Sequence, residues 1–157
     1  MTFEIFLSHS ARDRAAVELV RESLQSQGVN VYLAGHDVQA GYSVADKVKH
    51  AIRRSAAVVV LITPHSVGSA YVNQEIGYAL GERKLVVPLV EPDGRANAPA
   101  MLQGVEYITW DSTQPELAIT RLQAYLSSQH RQQQDQALAL VLLLLGALLL
   151  IYLSSTE

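Results

Sequence analysis

The feature that most constrains the fold is an unbroken apolar run at residues 56–63, with the sequence AAVVVLIT. This run lacks the apolar and polar alternation of a strand that has one face in water, and Pro64 ends it. Strands without alternation are typical of parallel sheets that carry helices on both faces. The run therefore predicts an α/β domain with this segment as a central strand.

Further short apolar segments alternate with segments of helical periodicity. We predict strands at residues 3–7, 29–33 and 85–90, and a weaker fifth strand at 105–110. Ser10 and Asp13 have the spacing of a helix N-cap, as do Ser43 and Asp46. Pro88 cannot donate to a strand ladder, so we expect an unpaired stretch there. The apolar faces of the first three helices comprise Val17, Val20 and Leu24; Val44, Val48, Ala51 and Ile52; and Val72, Ile76, Ala79 and Leu80.

This alternation predicts a flavodoxin-like, doubly wound parallel five-stranded sheet. In such folds ligands bind beyond the carboxyl ends of the strands, so the loops after Leu7, Leu33 and Thr63 face any site. A phosphoacceptor receiver domain shares the topology but requires acidic residues after the first strand and an aspartate at the end of the third. The sequence has Ser8-His9-Ser10 and Thr63-Pro64 there, which excludes a receiver.

Composition excludes several kinds of site. The chain has no cysteine, which rules out disulfides, zinc thiolates and cysteine nucleophiles. His36, His50 and His65 lack metal-ligand spacing, so we expect no metal. The net charge is −3, and the pairs Arg53-Arg54 and Arg83-Lys84 are explained by helix ends. We therefore expect no nucleic-acid partner.

Residues 137–153 form a leucine-rich segment without any charge. As a helix it would be roughly 25 Å long, and it is apolar all round, which a buried core helix normally is not. We predict one transmembrane helix. His130 and Arg131 precede the segment and only Glu157 and the terminal carboxylate follow, which places the domain in the cytosol. The predicted organisation is a domain at 1–128, a polar linker or frayed helix end at 129–136, a single-pass C-terminal membrane anchor at 137–153 and a tail at 154–157.

Three passages resemble the Toll/interleukin-1 receptor (TIR) family in their order along the chain. They are residues 5–13 (IFLSHSARD), the loop at 40–41 leading into 43–46 (SVAD), and residues 69–76 (SAYVNQEI). The resemblance covers about residues 1–128, and the ordered combination is more specific than any one passage. It implies the TIR fold and suggests a bacterial TIR domain protein followed by a transmembrane helix.

In TIR enzymes, a glutamate on the helix after the third strand is required to cleave NAD+ between ribose and nicotinamide. Glu75 matches that position, and Tyr71 stands where the family often has an aromatic residue four positions earlier. The resemblance thus makes Glu75 the candidate catalytic residue, with NAD+ as substrate and no cofactor. The product would be ADP-ribose or a cyclic ADP-ribose-type signal, in a bacterial, anti-phage defence role. A glutamate near a helix start can also simply face water.

Other residues are candidates for binding the substrate. Ser8 and His9 follow the first strand and could meet a ribose or phosphate, although helix initiation also explains this loop. Arg12 is a candidate phosphate partner or an exposed cation. Tyr42 could close over the substrate or pack beneath its loop. Because the sequence runs Leu33-Ala34-Gly35 where many eukaryotic members have an acidic residue, we assign no loop carboxylate to the site.

The resemblance leaves two functions open. One is the NAD+-cleaving enzyme, activated by self-association through the loop at residues 35–42. The other is a non-catalytic, membrane-anchored adaptor that acts by the same TIR–TIR assembly and has no need of Glu75. We favour the enzyme, because the chain keeps Glu75 with Tyr71 and carries no second effector domain.

Overall fold

The computed structural model describes residues 4–33, 44–95 and 98–154, without the side chains of residues 95, 133, 149, 150 and 152–154. Strands and helices alternate in it, as the sequence predicts. The strands are β1 (Glu4–Ser8), β2 (Asn30–Leu33), β3 (Ala57–Ile62), β4 (Leu85–Val90) and β5 (Ile108–Thr109). The helices are α1 (Arg14–Gln25), α2 (Val44–Arg54), α3 (Ala70–Gly81), the short α4 (Pro92–Arg95) and α5 (Pro115–Ser154), with a 3-10 turn at Ala100–Leu102.

The strands form one parallel sheet in the order β2-β1-β3-β4-β5. This confirms the predicted five-stranded, flavodoxin-like topology. The chain reverses its direction of winding between β1 and β3, which are hydrogen-bonded neighbours. In sheets of this kind, ligands bind in the crevice outside the carboxyl ends of the strands at such a reversal. The fold thus places the end of β1, at Ser8, beside the expected site.

One face of the sheet is covered by α2 and α3. The core on that face joins Phe6 of β1 and alternate residues of β3 and β4 to the inner sides of the two helices, and its members include Val58, Val60, Ile62, Ala51, Ile52, Val72, Ile76 and Ala79. Because side chains along a strand alternate between faces, Ser8 lies on the same face as Phe6. The last side chain of β1 therefore points toward the layer that contains α3.

The first helix begins differently from the prediction. Its N-cap is Asp13, which makes no side-chain capping bond, whereas the hydroxyl of Ser10 accepts from the amide of Arg12 at 3.3 Å. The Asp13 carboxylate instead accepts a 2.8 Å hydrogen bond from the Thr63 hydroxyl, which ties this loop to the end of β3. The predicted Ser10 cap is therefore wrong. Ser43 of the second capping pattern lies outside the described residues.

The edge of the sheet at β5 is shorter than predicted, since β5 has two residues in place of the expected 105–110. Pro88 is in register with Val60 of β3, and the pairing of β4 with β5 begins only at Leu89. The strand is therefore unpaired with β5 at the proline, as expected. Beyond β4 the chain passes close to the end of β3 at Gly94. A side chain there would not fit, since a Cβ at Gly94 would lie 2.9 Å from the carbonyl oxygen of Ile62.

The C-terminal prediction needs a correction. In the part of the chain that the structure describes, no helix is long and apolar enough to cross a membrane, so the predicted transmembrane helix is not found. Arg131 and Asp135 precede the leucine-rich stretch within α5. Residues 129–136 are helical and belong to α5.

Candidate active site

Glu75 lies on α3, where the local sequence places it at the edge of the buried face. The Ser69 hydroxyl caps this helix by accepting from the amide of Val72 at 3.4 Å. Val72 and Ile76 are one turn apart and fully buried, and Glu75 stands between them with 8% of its surface exposed. The alternative in which this glutamate faces water is therefore wrong.

The carboxylate of Glu75 has a partner on the sheet. The Ser8 hydroxyl donates a hydrogen bond of 2.5 Å to Oε2 of Glu75, and Ser8 itself is completely buried. This length is in the range for a hydroxyl that donates to an ionised carboxylate. The bond connects the last residue of β1, at the reversal point of the sheet, to the helix that follows β3.

Burial has a large effect on the proton affinity of this carboxyl group. It raises the pKa of Glu75 from 4.5 to about 7, and the Ser8 hydrogen bond lowers it by a smaller amount. Burial acts in this direction because it disfavours the charged form, whereas a hydroxyl donor favours it. Near neutral pH the group therefore exists as a mixture of carboxylate and carboxylic acid, a property common among functional carboxyl groups.

Glu75 lines a cavity of about 120 Å³ between α2 and α3. The cavity is smaller than the roughly 300–1,000 Å³ typical of sites for whole ligands, so it can hold only a part of a nucleotide. Tyr71 lies one turn before Glu75 on the same helix and is 76% exposed. The described lining consists of Val44, Ala45, Val48, Lys49, Tyr71, Gln74, Glu75 and Tyr78.

The other predicted binding residues have different positions. Ser8 contacts Glu75 and is not among the described lining residues of the cavity. His9 is half-buried with its Nδ1 3.1 Å from the carbonyl oxygen of Leu7, and Arg12 is exposed. Neither belongs to the described lining. Tyr42 and the loop at 35–42 lie outside the described residues.

Sequence reasoning missed the contribution of α2 to the cavity. Lys49 brings a cation to the lining, with its Nζ 5.8 Å from the ring centre of Tyr78. Arg53, one turn further along α2, donates a 2.8 Å hydrogen bond to the Tyr78 hydroxyl. The sequence signal was the position of Lys49 directly after Val48, at the margin of the apolar face of α2.

A second group of carboxyl groups surrounds Glu91, just after β4. Glu91 is half-buried, and its pKa is raised first by burial and then by the charges of Asp13, Asp93 and Asp111, while His65 lowers it. Hydrogen bonds from Thr113 lower the pKa of Asp111. Within residues 4–33, 44–95 and 98–154, no group of three or more histidine, aspartate or glutamate side chains is arranged to hold a metal ion.

Comparisons with known proteins agree with this fold. The crystal structure of the TIR domain of the Toll-related receptor TRR-2 from Hydra magnipapillata is 17% identical with a TM-score of 0.66, and the match covers 78% of this chain and 97% of that one. CMP N-glycosidase BcmB of Clostridium botulinum is 16% identical with a TM-score of 0.58, over 78% and 99% of the two chains. A TIR-STING receptor from C. gigas, solved with 2',3'-cGAMP, is 22% identical with a TM-score of 0.62, over 74% of this chain and 38% of that chain.

These similar structures come from animals and from a bacterium, and they do not assign this chain to a bacterial source. No curated protein matches the sequence. The TIR domain family matches residues 5–123, which is well over half of the chain. On that match, supported by the parallel five-stranded sheet, the chain belongs to the TIR domain family.

Proposed function

We propose that the protein is an NAD+ nucleosidase that cleaves the bond between ribose and nicotinamide. The observation that carries this proposal is the position of the Glu75 carboxyl group, which is buried from bulk solvent, lines a small cavity and accepts a hydrogen bond from Ser8. A charged group is costly to bury, so its position in a cleft at the reversal point of the sheet favours a chemical role over a structural one.

The chemistry requires one carboxylate and no general acid. The bond from ribose C1' to the pyridinium nitrogen breaks with both electrons going to nitrogen, so nicotinamide leaves as a neutral molecule. The ribose is left as an oxocarbenium ion, which Glu75 stabilises through its negative charge. Water then adds to C1' and releases a proton, giving ADP-ribose, or a nucleophile within the same molecule adds and gives a cyclic product. Ordinary glycosides differ, since their leaving alkoxide must be protonated.

The lining of the cavity suits this task. Glu75 and the ring of Tyr71 lie one helical turn apart, so the ribose can rest against the carboxylate while a flat ring stacks on the exposed tyrosine. Lys49 supplies a positive charge for a phosphate group of the substrate. The described cavity holds about one ring, and Val44 continues directly from residues 34–43, which lie outside the described residues.

The clostridial protein that shares this fold is a CMP N-glycosidase. Its reaction also breaks an N-glycosidic bond of a nucleotide, which supports the proposed class of reaction.

We propose that the activity serves bacterial, anti-phage defence, because the motifs resemble those of bacterial TIR proteins. We also expect assembly through residues 35–42 to promote the activity. Nicotinamide release per molecule should then rise with protein concentration, and a constant value would exclude assembly as a requirement.

The deciding experiment is chromatography of NAD+ incubated with the full chain at high protein concentration and pH 8. Glu75→Gln keeps the size of the side chain but removes its charge, and the exposed Glu106→Gln serves as the matched control. We expect nicotinamide release to fall at least about 100-fold in the first variant and to stay unchanged in the second. The second product peak distinguishes hydrolysis from cyclisation. Absence of release from the unmodified protein would favour the non-catalytic adaptor.

A further inference from the structure

We propose that Ser8 is a positioning residue of this site, which acts on the substrate only through Glu75 by holding one oxygen of its carboxylate. This inference rests on the proposed function. It also changes the role of Ser8 from the substrate contact expected from the sequence to a partner of the reacting carboxylate.

The first support is the location of Ser8. The side chain is completely buried, and the hydroxyl, which has one hydrogen to donate, directs it to Oε2 of Glu75 at 2.5 Å. Ser8 is not part of the described cavity lining, whereas Glu75 is. A substrate in the cavity therefore meets the glutamate, with the serine behind it.

The second support is the mobility of a glutamate side chain. Three rotatable bonds separate its carboxylate from the helix, and a carboxylate that changes rotamer does not keep a fixed place beside the ribose. β1 is a central strand, paired with β2 up to Leu7 and with β3 through Ser8, which is in register with Val60, so Ser8 is a rigid anchor. The bond to Ser8 fixes one oxygen of Glu75 to this anchor and leaves the other for the oxocarbenium ion.

The third support is electrostatic. Burial raises the pKa of Glu75, and the Ser8 bond is the interaction that opposes this effect. Among the described residues, the other titratable or charged groups that line the same cavity are Lys49 from α2 and Tyr71 and Tyr78 from α3. On this face of the sheet β1 also carries Glu4, four residues before Ser8, whose carboxylate pairs with Arg54 of α2 at 3.4 Å. The neighbours of Ser8 on this face are apolar, as Phe6, Val58 and Val86 illustrate. Ser8 therefore keeps more of the glutamate ionised at neutral pH.

The test combines two variants with two measurements on the full chain. Ser8→Ala removes the donor, and Ser8→Cys keeps a side chain of similar size with a weaker donor. The first measurement is the titration of the Glu75 carboxyl carbon by nuclear magnetic resonance. The second is the pH profile of nicotinamide release, with kcat and KM determined separately. Circular dichroism confirms that each variant is folded.

We expect Ser8→Ala to move the titration midpoint of Glu75 upward by about one pH unit and Ser8→Cys to move it by less. The rate of Ser8→Ala at pH 7 should fall about fivefold from this cause alone, mainly in kcat, and recover at higher pH. An unchanged midpoint in both variants would overturn the proposal, as would a larger effect on KM than on kcat. The titration of Glu75 does not depend on turnover. If the protein did not cleave NAD+, the proposed function would be refuted, and the titration would still test the contact between Ser8 and Glu75.

Discussion

Two glutamates at the carboxyl side of the sheet show how differently the fold can treat the same side chain. Glu75 is 8% exposed and has a neutral hydroxyl donor, whereas Glu91 is half-buried and faces the charges of Asp13, Asp93 and Asp111. Burial is the main cause of a raised pKa in both cases. The two glutamates differ in their neighbours, which are a hydroxyl group for Glu75 and carboxylates for Glu91.

This difference decides which carboxylate can serve the proposed chemistry. A carboxylate in a dry cleft interacts strongly with a developing positive charge, since little water screens it. A carboxylate that is open to solvent is screened by water. Where other carboxylates surround it, the negative charge also belongs to the whole group and not to one side chain. The fold gathers several acidic residues around Glu91, yet the isolated and buried Glu75 is the better candidate for the active site.

The largest effect we predict is on stability. The pKa of Glu75 is about 7 in the folded protein against 4.5 for an ordinary glutamate, so its contribution to stability is full below pH 4.5 and is lost as pH rises to about 7. Glu75→Gln cannot ionise, and we expect it to be more stable than the unmodified protein by about 3 kcal/mol at pH 8. Near pH 4 the two proteins should have equal stability.

Urea unfolding of the full chain at the two pH values measures this effect. A gain of the same size at pH 4 and pH 8 would show that it comes from packing and not from charge. No gain at pH 8 would show that Glu75 is less desolvated than the structure indicates, which would remove the contrast with Glu91.

The second prediction concerns the rate of nicotinamide release in the unmodified protein. In the proposed mechanism only the carboxylate form of Glu75 stabilises the oxocarbenium ion. A group with a pKa of about 7 is roughly 1% ionised at pH 5 and 99% ionised at pH 9. The kcat/KM, which reports the pKa of the free protein, should therefore rise about 100-fold between these values, with a midpoint near pH 7. A profile that is flat across this range would assign the chemistry to a group other than Glu75.

The third prediction uses Tyr71, since Glu75 has an exposed aromatic ring beside it in the cavity lining. Stacking of a flat ring on such a side chain is worth about 1–3 kcal/mol. Tyr71→Ala should raise KM about tenfold, and Tyr71→Phe should restore it. The control is Tyr125→Ala, because Tyr125 is a partly exposed tyrosine outside the cavity lining. Equal KM values for Tyr71→Ala and the unmodified protein would contradict a stacking role.

Much of the fold could be predicted from the sequence. The unbroken apolar run predicted β3, and the helical spacing of Val17, Val20 and Leu24 predicted α1. The alternation of strands and helices along the chain predicted a parallel sheet. Tertiary contacts decided the rest. Asp13 bonds to Thr63, 50 residues away, and the helix is therefore entered without the predicted Ser10 cap.

The site was predictable only in part, for the same physical reason. The resemblance indicated Glu75 and Tyr71, and helical spacing placed both on one side of α3. The partnership of Ser8 and Glu75 spans 67 positions and depends on the rotation of α3 against the sheet, which periodicity does not fix to within a hydrogen bond. The contribution of Lys49 depends likewise on the packing of α2 beside α3.

The smallest effect we predict is that of Glu91→Gln. Its pKa is raised, so removing the charge should relieve repulsion from Asp13 and Asp93, but solvent screens these charges and the gain at pH 8 should be about 0.5 kcal/mol or less. The kcat/KM should stay within twofold of that of the unmodified protein, and its pH midpoint within a few tenths of a pH unit. A pH midpoint that moved with Glu91→Gln, and not with changes at Ser8, would mean that the acidic cluster controls the rate, and would reverse the comparison between the two glutamates.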